Sequence, residues 1–134
     1  MNLPRITLDP LPSRYAVARL APSSPFPAWA DGEGFVSLTR TADELSVVCL
    51  EDRVPGPVQA ERGWKAFRFV GPFAFGATGI VLSVIRPLSE AGIGVFVVST
   101  FDGDHLLLQE RDVPRGRALL AGAGHTVLAG TRPG

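Results

Sequence analysis

The chain has 134 residues, of which 46% are hydrophobic and 19% are charged. That length allows one compact domain or two small halves that share a core, and the composition excludes a disordered chain. Its 13 basic residues balance 13 acidic ones, so we expect no nucleic-acid partner, because proteins that bind nucleic acids concentrate positive charge on one face. A single cysteine excludes an internal disulfide and a multi-cysteine zinc site.

The segment before the first predicted strand carries three prolines and no apolar core of a signal peptide. No apolar stretch approaches the roughly 20 residues of a membrane-spanning helix. We therefore expect a cytoplasmic protein that makes no membrane contact. Cys49 lies in the apolar run SVVCL and is expected to be a buried small hydrophobe rather than a reactive thiol.

The N-terminal half, residues 1–60, is predicted to be a degenerate α+β unit. Its pattern predicts a strand at 15–20, at most a short helix at 25–29, and a hairpin whose strands cover 35–40 and 45–50. The stretch VPGPVQAERG that follows has no helical pattern, and its glycines and prolines indicate a linker between two halves.

The C-terminal half, residues 61–134, opens with a predicted strand at 64–70 and a loop rich in glycine, proline and phenylalanine. Thr78 is predicted to cap a helix that ends near Ala91, because apolar residues recur at helical spacing on one face. Pro87 removes one backbone hydrogen bond from this helix, and we expect a bend one turn before it.

An Asp-Gly pair at 102–103 separates two β-rich runs, at 93–101 and 104–109. Such a pair is the strongest short signal for a hairpin and predicts a type I′ turn. A second helix is predicted from 112 to 123, and a last short strand at 125–128. The order β-α-β-β-α-β predicts an α+β, ferredoxin-like fold of antiparallel sheets with helices on one face.

The two halves repeat each other at an offset of 59 residues. Residues 40–55 align without gaps with residues 99–114, and five positions are identical. The apolar positions 47–49 align with the apolar positions 106–108. This repeat, together with the element order around it, indicates two copies of one structural unit.

Residues suited to catalysis are scarce. Neither His105 nor His125 belongs to a recognisable nucleophile motif, and we expect both at the surface or at a strand edge. We predict no catalytic residue, no metal ligand and no cofactor. Asp102 is expected to form the turn. For Asp104, at the start of a strand, a structural role and contact with a cationic ligand group both stay open.

Glycines mark two further places. The stretch Gly76–Gly79 precedes the first predicted helix, whose free amides and dipole attract an anion such as a carboxylate. It lacks the Gly-Lys-Ser/Thr ending of a phosphate loop. Gly92 is explained as the end of the helix, whereas Gly94 is not, and a glycine there lets a ligand or another backbone approach closely.

Two segments carry a resemblance to a known family. GPFAFGATGIVLSVIRPLSEAGIGVFVVSTFDGDHLLL at 71–108 and FVSLTRTADELSVVCLED at 35–52 resemble the tandem ACT-domain proteins related to the CASTOR arginine sensor. The resemblance covers about residues 10–128. It implies two ACT units per chain, the first degenerate, in a regulatory protein that binds an amino acid and is not an enzyme. Exposed sheet edges in so small a fold also predict a symmetric homodimer.

In that family the ligand lies between two ACT units, and the resemblance implies where the site is in this chain. One side would consist of Gly79, Ile80, Thr100, Phe101 and Asp104, and the other side of Gly94 and Val95 from a second copy. Ala77 replaces a carboxylate of the arginine sensor and Gly94 replaces a hydroxyl residue. The resemblance therefore implies an amino acid as ligand without carrying arginine over.

Two other classes of function stay open. One is a module that pairs its sheet with a partner protein and binds no small molecule. The other is a small enzyme on a ferredoxin-like fold, since one fold hosts many functions. The absence of a catalytic triad, a metal-ligand set and a cofactor loop from the sequence argues against the enzyme.

Overall fold

The computed structural model describes residues 3–74 and 76–130. In chain order its strands and helices are β1 (Thr7–Pro10), β2 (Tyr15–Leu20), β3 (Ser37–Arg40), β4 (Leu45–Leu50), β5 (Ala60–Phe69), α1 (Ile80–Glu90), β6 (Val95–Ser99), β7 (Asp104–Gln109), α2 (Val113–Gly122) and β8 (Thr126–Val127). The described residues also form 3₁₀ turns at Ala28–Ala30, Glu51–Arg53 and Glu110–Asp112. Neither α-helix of this described part is long and apolar enough to cross a membrane.

Contacts divide the chain into two compact units. The N-terminal unit is Pro12–Trp64, and the C-terminal unit joins the described residues up to Leu11 with those from Lys65 onward. Strand β5 contributes its first residues to one unit and its last residues to the other. The linker predicted from Val54 to Gly63 is therefore wrong in its second part, because strand pairing begins at Ala60.

The N-terminal unit is a sheet of antiparallel strands. Strand β4 lies between β2 and β3, and β2 also pairs with the first residues of β5. Small and branched apolar side chains form its core, chiefly Ala16, Ala18, Ala30, Leu45, Val47, Cys49 and Val54. Within the described residues of this unit, helical structure is limited to the two 3₁₀ turns, which confirms that the N-terminal half lacks a full helix.

The C-terminal unit contains the predicted β-α-β-β-α-β order, from β5 to β8. Strands β6 and β7 form an antiparallel hairpin, and β7 also pairs with β5. Strand β1, which the sequence pattern did not reveal, pairs antiparallel with β5 and parallel with β8. The fold class is confirmed as α+β, with this parallel pair as an exception to the antiparallel pattern.

Both helices pack on one face of the C-terminal sheet. The core there joins side chains of α1 and α2 to residues of three strands: Leu8, Phe67, Phe69, Val84, Leu88, Leu106, Leu108 and Leu120. The alternation along β5 and β7 follows from the pleat, since successive side chains of a strand point to opposite faces. Full burial of each leucine or phenylalanine contributes about 1.5–3 kcal/mol, so this cluster holds α1 firmly against the strands.

Helix α1 differs from the prediction at its start. It begins at Ile80 with Gly79, rather than Thr78, at the capping position, because Gly79 adopts the left-handed conformation with φ of 79°. Glycine occupies that region without the strain that a β-carbon would cause. The predicted cap by Thr78 is wrong, since no side chain caps this helix. Pro87 lies inside α1, which continues to Glu90.

The hairpin of β6 and β7 is confirmed, but its predicted type I′ turn is wrong. That turn requires positive φ at both central residues, and neither Asp102 nor Gly103 has it. The connection spans Thr100–Gly103 instead, where the Thr100 N–H donates to the Gly103 carbonyl at 2.7 Å. The four-residue connection therefore replaces the tight two-residue turn.

The repeat at an offset of 59 is confirmed in the two hairpins. In the first, Ser37 pairs with Val48 and Arg40 with Leu45. In the second, Phe96 pairs with Leu107 and Ser99 with Asp104. Each pair of the second hairpin lies 59 residues after its counterpart, and so does the 3₁₀ turn that follows each hairpin.

Two of the residues weighed for reactivity are buried. Cys49 is fully buried, as predicted, and burial raises the pKa of its thiol, with an opposing contribution from Arg53. The prediction for His125 as a surface or strand-edge residue is wrong, since it is only 6% exposed. Both of its ring nitrogens lie at hydrogen-bond distance from backbone groups, which is how a buried imidazole is satisfied.

Candidate functional site

A pocket of about 340 Å³ lies in the C-terminal unit, between the start of α1, the loop before it and the β6–β7 connection. The described residues that line it are Phe73, Ala74, Gly76, Ala77, Gly79, Ile80, Val81, Leu82 and Ser99 to Asp104. Small-molecule sites occupy about 300–1,000 Å³. This pocket is at the small end of that range and suits a molecule the size of an amino acid.

The first turn of α1 forms one wall. The first N–H groups of an α-helix have no acceptor within the helix, and here they include those of Ile80, Val81 and Leu82, which line the pocket. No side-chain cap occupies them. Together with the helix dipole, this wall favours an anionic group.

The β6–β7 connection forms the opposite wall and is held by Thr100. Its hydroxyl donates to the Gly103 carbonyl at 3.0 Å, and its Oγ1 lies 3.3 Å from the Gly103 nitrogen. Phe101, at the tip of the connection, is 81% exposed. Phe101 thus places an aromatic ring at the mouth of the pocket.

Asp104 begins β7 and faces Ser99 across the hairpin. The Ser99 hydroxyl donates to Oδ1 of Asp104, so this carboxylate has a fixed orientation, while Asp102 is exposed at the turn. Both aspartates line the pocket, and its described lining contains no Lys, Arg or His. The wall opposite the helix amides is therefore acidic.

Five of the residues implied by the family resemblance line this pocket, namely Gly79, Ile80, Thr100, Phe101 and Asp104. Gly94 and Val95 do not; they lie where edge strand β6 begins. Gly94 is exposed, and a β-carbon there would meet no atom within 4 Å. The resemblance placed these two residues in a second copy, so their position outside the pocket of the same chain leaves that expectation untested.

Ser99 and Phe73 line the pocket but were not among the predicted site residues. Ser99 could have been found, because a hairpin that pairs 98 with 105 also sets Ser99 opposite Asp104. Phe73 carries no such signal, since it lies in an irregular loop without periodicity.

Ser83 and His125 are adjacent but are not arranged for nucleophilic catalysis. Oγ of Ser83 lies 3.3 Å from Nε2 of His125. Its hydroxyl, however, donates to the Pro4 carbonyl, whereas an activated serine donates to its histidine base. Nδ1 of His125 accepts the Ile6 N–H at 3.0 Å, so the proton of the neutral ring is assigned to Nε2. Within the described residues, no group of three potential ligands could hold a metal ion.

The sequence region that contains the pocket matches a known protein family. Residues 59–120, which include every lining residue, match the ACT domain model, and residues 13–57 match a model for an N-terminal domain. The chain is 33% identical over 93 residues to CASTOR3P of Homo sapiens. It is 28% identical over 96 residues to the cytosolic arginine sensor for mTORC1 subunit 1 of Mus musculus. The chain is an ACT-domain protein related to the CASTOR family.

The curated relatives of this ACT-domain protein are longer than the chain. The matches cover 60% and 68% of the chain but only 57% of CASTOR3P and 27% of the arginine sensor. The resemblance drawn from the sequence is thus confirmed at the level of the family, and the activity of the whole relatives is not transferred with it.

Solved structures share the fold of this chain. Protein Atu0741 from Agrobacterium tumefaciens is 59% identical, with a TM-score of 0.93 and 98% of both chains covered. The aspartate kinase of Clostridium acetobutylicum superposes with a TM-score of 0.65 at 12% identity, over 92% of this chain and 36% of that chain. At this identity the kinase shows a shared fold alone.

Proposed function

We propose that this protein is a regulatory protein that binds a free amino acid in the pocket of its ACT domain and catalyses no reaction. One observation carries the proposal: the pocket brings the helix amides of Ile80–Leu82 and the carboxylate of Asp104 together. A free amino acid carries a carboxylate and an ammonium group close together. The two walls offer a partner of suitable charge to each.

The proposed orientation follows from these walls. The ligand carboxylate accepts hydrogen bonds from the first turn of α1, beside Gly79, and its ammonium group donates to Asp104. Hydrogen bonds with a charged partner are roughly twice as strong as neutral ones. Thr100 holds the acidic wall in place, and Phe101 packs over the ligand side chain.

The name of the mouse relative supports the ligand class, since that protein is called an arginine sensor. Whether this chain prefers a basic amino acid depends on its own lining. Two aspartates without a counter-charge would favour a ligand with an additional positive group. Ala77, however, offers no carboxylate where the sensor has one, which weakens the case for arginine itself.

We also propose that the protein is not an enzyme. The described lining of the pocket contains no histidine or cysteine. Outside it, Oγ of Ser83 lies 3.3 Å from Nε2 of His125, but the Ser83 hydroxyl donates to the Pro4 carbonyl and both ring nitrogens bond to backbone groups. Paired aspartates can transfer protons, but such work needs a further group to position or polarise the substrate.

The binding test is a thermal-shift screen of the twenty amino acids, followed by two analogues of each hit. A ligand at 100 times its Kd stabilises the native state by about 2.7 kcal/mol, so a specific ligand raises Tm clearly. The amide and the N-acetyl analogue each remove one charge and should lose most of the shift. If no amino acid raises Tm, the proposal is contradicted, and the alternative of a protein-interaction module is favoured.

We further propose a symmetric homodimer in which Gly94 and Val95 of a second copy close the pocket. The exposed start of edge strand β6 supports this, since sheet edges are commonly covered by pairing. Light scattering should give twice the 14.2 kDa mass of the chain. A monomer at micromolar concentration contradicts the dimer without touching the amino-acid proposal.

A further inference from the structure

Pro87 leaves one backbone carbonyl of α1 without its usual hydrogen-bond donor. Because proline has no N–H, the carbonyl four residues earlier in a helix loses its donor. In α1 that carbonyl belongs to Ser83, and Nε2 of His125 lies 2.8 Å from it. The buried imidazole thus supplies the hydrogen bond that the proline removes.

The other side of the same ring binds the N-terminal segment. Nδ1 of His125 accepts the Ile6 N–H at 3.0 Å, and the Ser83 hydroxyl donates to the Pro4 carbonyl. A backbone amide is always a donor, so Nδ1 must be unprotonated and the ring proton lies on Nε2. One neutral tautomer therefore satisfies both contacts, and all these residues belong to the C-terminal unit.

We propose that His125 is a proton-sensitive clasp, whose neutral ring ties the Pro4–Ile6 segment to the Pro87 break in α1 and whose protonation releases that segment. A protonated imidazole carries a hydrogen on both nitrogens. Nδ1–H would then face the Ile6 N–H, donor against donor. A buried donor left without an acceptor is costly, so the protonated ring has to move away from Ile6.

The surroundings give protons access to the ring. A cavity of about 190 Å³ is lined by Leu3, Pro4, Ser83, Arg86, Pro87, Glu90, Ala123 and His125. Arg86 and Glu90, which carry the charges of this lining, form an exposed ion pair at 3.4 Å. Arg5 lies on the N-terminal segment beside Gly124.

Hydrogen exchange measured by NMR tests the clasp in the full chain. The background is His105→Gln, so that His125 is the single remaining histidine. As the pH is lowered from neutral until the nitrogen NMR signals of His125 show a protonated ring, the protection factor of the Ile6 amide should fall about tenfold, the effect of losing one hydrogen bond. The Val70 amide, which donates to the Thr7 carbonyl at 2.9 Å, is the control and should keep its protection.

Three results would overturn the clasp. They are an Ile6 protection factor that does not change with pH, an equal fall at Val70, and a neutral ring protonated on Nδ1 in nitrogen NMR spectra. None of these concerns amino-acid binding, so they leave the proposed function untouched.

A double-mutant cycle tests the link to Pro87. Pro87→Ala restores a helical donor to the Ser83 carbonyl, so His125→Asn should lower Tm less in that background than in the unmodified chain. Equal losses in both backgrounds contradict the role assigned to the proline. If His125→Asn does not fold alone, its recovery by Pro87→Ala supports the link, and failure to recover contradicts it.

Discussion

The two hairpins β3–β4 and β6–β7 share one register but differ in what their side chains do. The position of Asp104 in the second hairpin is that of Leu45 in the first, and Leu45 is fully buried in the N-terminal core. The position of Ser99 is that of Arg40, whose guanidinium binds the Pro22 and Ser24 carbonyls. In the N-terminal hairpin these positions serve packing and the attachment of a loop. In the C-terminal hairpin the residues at these positions line a pocket.

The segments before the hairpins differ as well. The second hairpin is preceded by the 11-residue helix α1, the first by a 3₁₀ turn at Ala28–Ala30. Only a helix of several turns presents a set of free amides with an aligned dipole. The hairpin is thus a common frame, and the candidate site needs both the helix start and a carboxylate at the first residue of the second strand.

Replacing Asp104 is the most damaging change that this comparison suggests. Asp104→Ala gives the C-terminal hairpin an apolar residue at the position of Leu45 and leaves the ligand ammonium without its partner. We expect a loss of about 2–4 kcal/mol in binding free energy, measured by calorimetry with the amino acid that the screen selects.

Asp102→Ala is the matched control for Asp104→Ala, since it removes the same charge from the exposed turn of the same pocket. It should change affinity little. Equal losses in both variants would mean that the general negative charge of the turn, not the position of Asp104, determines binding.

A second expectation concerns α2, which has no counterpart among the described elements of the N-terminal unit. A β-carbon at Gly116 would lie 2.9 Å from Cδ1 of Leu108 in the core. Overpacking costs about 1–3 kcal/mol, and the gain in helix propensity returns up to about 1 kcal/mol. Gly116→Ala should therefore lower the free energy of unfolding by about 1 kcal/mol in urea titration.

The control for Gly116→Ala is Gly122→Ala in the same helix, where a β-carbon meets nothing within 4 Å. It should be neutral or slightly stabilising. A Gly116→Ala protein as stable as the parent would show that α2 is not packed closely on β7.

The smallest effect is a pH dependence at His105, whose counterpart in the first hairpin, Ser46, does not titrate. Burial lowers the pKa of His105 below its ordinary 6.5, Arg68 lowers it further, and Asp104 raises it. Below pH 6.5 the unfolded chain then binds more protons than the folded one, so stability falls as pH falls through this window.

His105→Gln should reduce that loss of stability, measured as Tm against pH between neutral and mildly acidic buffer. An unchanged pH dependence in His105→Gln would show that burial of the His105 ring does not penalise its charged form.

The sequence pattern predicted elements whose signal is local. The periodicity of α1 and the apolar runs around Asp102-Gly103 identified one helix and one hairpin, and these two elements bring five predicted site residues together. Strand β1 was not predicted, because its parallel pairing joins Thr7 to Thr126 at the far end of the chain. No local sequence pattern indicates so distant a partner. The burial of His125 escaped for the same reason, since its partners are Ile6 and Ser83.

Details of backbone conformation were also beyond the sequence pattern. Thr78 is a good capping residue by type, but Gly79 takes the position before the helix because it alone there adopts positive φ without strain. The Asp-Gly pair is equally compatible with a longer connection, and Thr100 stabilises that alternative through its hydrogen bonds with Gly103.

An NMR titration with the selected amino acid tests the central claim most directly, because it observes both hairpins in one protein. Amide shifts should concentrate at Gly79–Leu82 and Thr100–Asp104 and be absent at Thr41–Leu45, the equivalent positions of the first hairpin. Shifts centred on Thr41–Leu45, or none at the start of α1, would contradict an amino-acid site in the C-terminal pocket.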